Sequence, residues 1–327
     1  MTHFTSALRD RLELHQILIY FAAVLLAAAV AVLAPAIAAL EQAINPALAL
    51  MLFVTFLQVP LADLGRAVTH TRFLAALLVS NFLIVPLLVV FLVQFVPADP
   101  MIRLGFLLVL LTPCVDYVVT FSHIGRADAR LLLASTPLLL IVQILLLPIY
   151  LRALLGVEAA AVVQLGPFVH AFVWLIAVPL SSAAVVQQWA QRRKTGARVL
   201  GGLSVLPVPA TALVLFIVVA AVVPQSGAAI EAAVRVLPLY AVFAAVAPFL
   251  GWGVARFVGL PPAAGRAVAF SSATRNSLVV LPLALAVPGG LPVLPAIVVT
   301  QTMVELVASV LYMRWIPKLG GSSIPDQ

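Results

Sequence analysis

Three ionisable side chains interrupt stretches that otherwise read as hydrocarbon. They are Asp116 in "LTPCVDYVVTF" (111–121), Arg275 in "SSATRNS" (271–277) and Glu305 in "TQTMVELVAS" (300–309). An ionised group alone at the centre of a bilayer costs about 2.5–3.5 kcal/mol even on the lenient insertion scale, so each must face protein or a wet cavity. Asp116 and Arg275 form either a structural ion pair or two walls of a cargo site. Glu305, with Gln301 one turn earlier on the same helical face, suits coupling to a proton or another ion. Cys114, the only cysteine, stands two residues before Asp116 and beside the helix-breaking Pro113. A single thiol is a soft ligand that can hold a metal or metalloid and still release it. Its competing reading is a small buried hydrophobe with an inert thiol. Thr112, Thr274, Asn276 and Ser277 add hydroxyl and amide groups to the same two runs as candidate cargo ligands. Back-bonding within a helix is the alternative use of such hydroxyls.

The elements that position these residues follow from composition. Hydrophobic residues make up 64% of the chain and charged residues 9%. A soluble domain carries about 25% charged residues, so this chain is an all-α integral membrane protein. The apolar runs are continuous rather than alternating, which excludes a barrel. A net charge of +7 invites a nucleic-acid reading. The basic residues, however, are scattered through loops, so the expected partners are the lipid bilayer and a small solute, not nucleic acid. One cysteine cannot form an intramolecular disulfide. The opening "MTHFTSALRDRLELHQ" mixes charges and reads as an interfacial helix rather than a signal peptide. No phosphate-binding glycine loop, zinc-type spacing or catalytic triad occurs, so neither an enzyme nor a cofactor is expected and energy must come from a gradient.

Breaks between apolar runs give ten spans: 16–40, 47–65, 72–96, 103–122, 129–155, 164–190, 199–223, 232–257, 265–287 and 290–316. With the N-terminus inside, fourteen of the 18 Lys and Arg fall on the cytoplasmic side and three on the other, leaving Arg275 within a span. That asymmetry predicts both termini in the cytoplasm.

A shift of 162 residues aligns Pro86–Arg152 with Pro248–Arg314, with 12 identities over 67 positions. Pro86/Pro248, Thr112/Thr274, Tyr150/Tyr312 and Arg152/Arg314 are among them, and Gln143 lands on Glu305. Gln143 thereby becomes a further ion-coupling candidate, with glue between helices as its other reading. The shift covers five spans, so the second copy is inverted. The chain divides into repeats 1–163 and 164–327, whose interrupted fourth and ninth spans should meet at the midplane as in many secondary transporters.

On "NFLIVPLL" (81–88), "LLTPCVDYVVTFSHIGRADARLLLASTPLLLIVQILLLPIYL" (110–151) and "SSATRNSLVVLPLALA" (271–286), the chain resembles the bile-acid:sodium symporter superfamily, and within it the arsenite efflux permeases of arsenical resistance. The resemblance implies ten helices with broken, crossing helices 4 and 9, and a core of helices 3–5 and 8–10 moving against a panel of 1, 2, 6 and 7. It also implies a cell-membrane antiporter in which a helix-4 cysteine, here Cys114, binds the metalloid and a late acid, here Glu305, couples protons. The superfamily's sodium symporters use a helix-9 glutamate and a helix-4 Ser-Asn pair, which this chain replaces with Arg275 and Cys114-Val115-Asp116. The alternative cargo is an organic anion held by Arg275 and helix N-termini, with sodium as the coupling ion.

Overall fold

The computed structural model describes residues 2–33, 40–59, 70–115, 117–160, 170, 172–222 and 227–321. Among the described residues there is no β-strand, and one isolated antiparallel bridge joins Pro113 to Arg275. In chain order the α-helices are α1 (Thr2–Leu33), α2 (Glu41–Phe56), α3 (Thr71–Val79), α4 (Val85–Val93), α5 (Pro100–Leu110), α6 (Val118–Ile124), α7 (Ala129–Ala160), α8 (Val178–Arg192), α9 (Lys194–Leu203), α10 (Pro207–Val222), α11 (Gly227–Phe257), α12 (Pro262–Ala273), α13 (Ser277–Leu285) and α14 (Val293–Trp315). Helices suit such a chain because they satisfy their own backbone groups where water is absent.

Among the described residues six helical stretches are long and apolar enough to cross a membrane, and the pair α9–α10, bent by 42°, makes a seventh if counted as one span. Hydropathy predicts ten, and the difference has local causes. The expected fourth span is split into α5 and α6, and the ninth into α12 and α13. At 1.5 Å per residue none of these halves crosses a bilayer alone. The expected second span starts within α2 and continues into residues 60–65, outside the described residues.

The chain forms two compact units. One comprises Met1–Val59, Glu158–Val234 and Leu278–Val299. Within it α10 packs against both α1 and α2, and α8 against α2 and α9. Ala27, Val219 and Ala220 form its buried centre, with Val24, Ala28 and Phe216 packed around them. Small residues there let the backbones approach closely, which is how apolar helices associate in lipid. At the end of α2 the Gln187 amide donates to the carbonyls of Phe56, Leu57 and Val59 at 3.1, 3.2 and 2.8 Å. It thereby caps the end of the helix, where carbonyls run short of intrahelical donors.

The other unit comprises Pro60–Val157, Arg235–Ser277 and Thr300–Gln327. Two prolines shape it. A proline has no N–H and so deprives the carbonyl four residues earlier of its helical donor. For Pro86, which follows the π-turn Ser80–Ile84, that carbonyl is Phe82; for Pro248 in α11 it is Ala244. The Tyr150 hydroxyl donates to the Phe82 carbonyl at 2.5 Å, and the Tyr312 hydroxyl to the Ala244 carbonyl at 2.5 Å. Each proline–tyrosine device lies 162 residues from the other, the same offset that aligns the sequence with itself. Helices α11 and α12 approach closely at Gly251, where a Cβ would lie 2.4 Å from Ser272 Oγ and 2.9 Å from the Val268 carbonyl.

Candidate functional site

Helix α5 starts under Asp99, whose carboxylate accepts from the Met101 and Ile102 N–H groups at 2.8 and 3.0 Å. It stops at Leu110, just before Pro113. Helix α12 stops at Ala273, where Thr274 turns extended at φ −109° and ψ 140°. The two extended segments then pair. Cys114 N–H donates to the Thr274 carbonyl at 3.1 Å, and Asn276 N–H to the Thr112 carbonyl at 2.8 Å. This bridge also has the 162-residue offset, since Thr112 and Cys114 align with Thr274 and Asn276. The Thr112 hydroxyl donates to Leu108 and Val109 carbonyls at 3.1 and 3.0 Å, and the Thr274 hydroxyl to Phe270 at 3.0 Å. Both threonine hydroxyls are thus engaged in closing their own helix ends.

Two ionisable side chains converge on the bridge. The Glu305 carboxylate, 2% exposed, accepts from the Tyr117 hydroxyl at 2.7 Å, the Gln301 amide at 2.6 Å and the Arg275 main-chain N–H at 2.7 Å. One carboxylate on α14 is therefore bonded to the residue entering α6 and to the break between α12 and α13. Gln301 in turn accepts from the Ser277 hydroxyl through its amide oxygen. The Arg275 guanidinium, 0% exposed, points away from Glu305 to the carbonyls of Leu110 at 3.3 Å and of Ser271 and Ser272 at 2.8 Å, and to Asn81 Oδ1 at 2.9 Å. Asn81 is fixed in turn by donating to Ser271 Oγ at 2.9 Å and to the Leu77 carbonyl at 3.1 Å. The guanidinium carbon also lies 5.4 Å from the centre of the Phe243 ring, within cation–π range.

Of the candidates read from sequence, Thr112, Cys114, Thr274, Arg275 and Asn276 meet at the backbone bridge, and Ser277, Gln301 and Glu305 form the hydrogen-bonded group beside it. Cys114 is buried. The Asn276 amide nitrogen and Arg275 Nε are buried donors with no partner among the described residues. Asp116 lies outside the described residues. Gln143 is buried with its amide oxygen unpartnered, and no hydrogen bond described for the Glu305 group reaches it. Among the described residues no group of three or more His, Cys, Asp or Glu side chains could hold a metal ion.

Sequence reading missed Tyr117 as a partner of Glu305 and Asn81 as a partner of Arg275. Tyr117 stands in the same short run as Cys114, which was its available signal. Nothing in side-chain chemistry marks the Leu110, Ser271 and Ser272 carbonyls.

Helices of membrane length together with a buried polar crossing of broken helices define a multi-pass membrane protein. The sodium bile acid symporter family matches residues 45–230, more than half of the chain, and the chain belongs to that family of membrane transporters. No curated protein sequence matches it.

Proposed function

We propose that this transporter exports arsenite or a related metalloid in exchange for protons. Its spans would form two inverted five-helix repeats, with a core of spans 3–5 and 8–10 moving against a panel of 1, 2, 6 and 7. The Tyr–Pro devices and the backbone bridge, all related by 162 residues, support the repeat. The loop charges support an inner-membrane protein with both termini in the cytoplasm.

The observation that carries the coupling is the three-donor setting of Glu305. A proton on the carboxylate removes the negative charge that strengthens all three bonds, so each of them weakens. Two of the three donors belong to the broken spans, so protonation loosens the crossing at which cargo would sit. Cys114 would supply the soft ligand. The unpartnered donors on Asn276 and Arg275 suit the hydroxyl oxygens of uncharged arsenite, and Asp116 and Thr112 complete the expected cargo site. The same two donors suit a carboxylate or sulfonate, and with the family's name they favour a second reading: an organic-anion transporter coupled to sodium.

Everted vesicles separate the readings. Under an imposed pH gradient, wild type should accumulate arsenite, Cys114→Ser should lose most of that uptake, and Glu305→Gln should abolish its dependence on pH. Equal arsenite uptake by wild type and Cys114→Ser would falsify the thiol role. Sodium-driven uptake of an organic anion with no arsenite movement establishes the second reading instead.

A further inference from the structure

The Arg275 guanidinium is fully buried, and among the described residues no acid forms an ion pair with it. It is held by four neutral oxygens, the carbonyls of Leu110, Ser271 and Ser272 and the Asn81 amide oxygen, at 2.8–3.3 Å. Three of these belong to the last turns of α5 and α12. The last carbonyls of a helix have no intrahelical donor and carry the negative end of the helix dipole. Within a membrane no water replaces those donors, so two helix ends meeting there demand a positive charge or a set of N–H groups. The Asn81 amide oxygen and the Ser271 and Ser272 carbonyls gather on Nη2 at 2.8–2.9 Å, with the Leu110 carbonyl on Nη1 at 3.3 Å, and neutral oxygens grouped in this way are the ligands that hard cations take from proteins.

We propose that these oxygens form a monovalent-cation site whose resident occupant is the Arg275 side chain. The guanidinium does the work of a bound ion, holding α5, α12 and the π-turn residue Asn81 together, and it closes the position to cations from solution. The two broken helices therefore stay joined whatever the ionic composition outside. This role is independent of which cargo the protein carries, because it concerns how the crossing is held rather than what passes it.

Arg275→Ala deletes the occupant and leaves the oxygens. The full-length variant is purified in detergent and its thermal unfolding followed in low-millimolar guanidinium chloride, sodium chloride or choline chloride. The expected result is a melting temperature several degrees below wild type that guanidinium or sodium raises saturably and choline does not, with guanidinium giving wild type no rise and sodium giving it a smaller rise than the variant. Binding of a ligand to the folded state alone produces such a rise. A variant as stable as wild type, or one that responds to choline as it does to the small cations, overturns the proposal. If Arg275→Ala cannot be purified, Arg275→Lys and Arg275→Met are compared. Lysine keeps the charge and methionine keeps much of the length, so lysine should unfold near wild type and methionine well below it. Equal loss in both, or equal stability in both, overturns the proposal as well.

Discussion

Glu305 and Arg275 are joined through a main-chain N–H, while their charged groups turn to separate sets of neutral partners. Burying an ion pair removes two charges from water together, and breaking it strands one of them; here each charge keeps its own shell. Tyr117→Phe removes one hydroxyl from the carboxylate and should cost about 1.5–3 kcal/mol, as expected for a hydrogen bond to a charged group. Thermal unfolding at neutral pH checks this, and an unchanged melting temperature would mean that the bond contributes nothing. Glu305 and Gln301 were legible together because four residues bring them to one helical face. Tyr117 was not, because 188 residues separate it from Glu305 and only the folded chain brings them within 2.7 Å. The acceptors of Arg275 were least legible of all: they are main-chain carbonyls, made available by where two helices stop rather than by residue type.

At the scale of elements, the prolines and the tyrosines form one device. Pro86 and Pro248 free the carbonyls of Phe82 and Ala244, and Tyr150 and Tyr312 satisfy them. Tyr312→Phe should therefore cost about 1–3 kcal/mol, the penalty for a buried acceptor left unmade. In a Pro248→Ala background the helix regains its own donor, and the same change should cost clearly less. A double-mutant cycle measured by thermal unfolding reads that difference, and additive effects would refute the coupling. Gly251→Ala tests the contact between α11 and α12 and should destabilise by about 1–3 kcal/mol, since the new Cβ meets a backbone carbonyl that cannot turn aside. The two interruptions were legible in advance, from Pro113 on one side and the polar run "SSATRNS" on the other. Their consequence for counting was not: hydropathy sums across a break, whereas helix length does not, so the fourth and ninth of the ten predicted spans drop out of the six or seven membrane-length helices among the described residues.

For the whole molecule, the charge asymmetry of the loops makes a concrete expectation. In a Cys114→Ser background, Arg193→Cys should react with a membrane-impermeant maleimide only in inside-out vesicles, and Arg152→Cys only in right-side-out ones. Both positions are exposed, so burial does not confuse the readout. Labelling of the two from the same face would refute the orientation with cytoplasmic termini. Family membership was legible from long runs in the third, fourth and fifth spans, which lie within the matched residues 45–230. The branch was less so: Cys114 resembles the arsenite permeases, while the sodium ligands of the symporters are replaced in this chain by Arg275 and Cys114-Val115-Asp116.

The chain's sole sulfhydryl is also shut off from solvent, at 0% exposure. Alkylation of the intact protein can therefore add no more than one adduct per molecule, and its speed becomes a built-in clock for how often the closed centre breathes. Mass spectrometry at intervals, with and without a candidate solute, would time that breathing without any engineered probe.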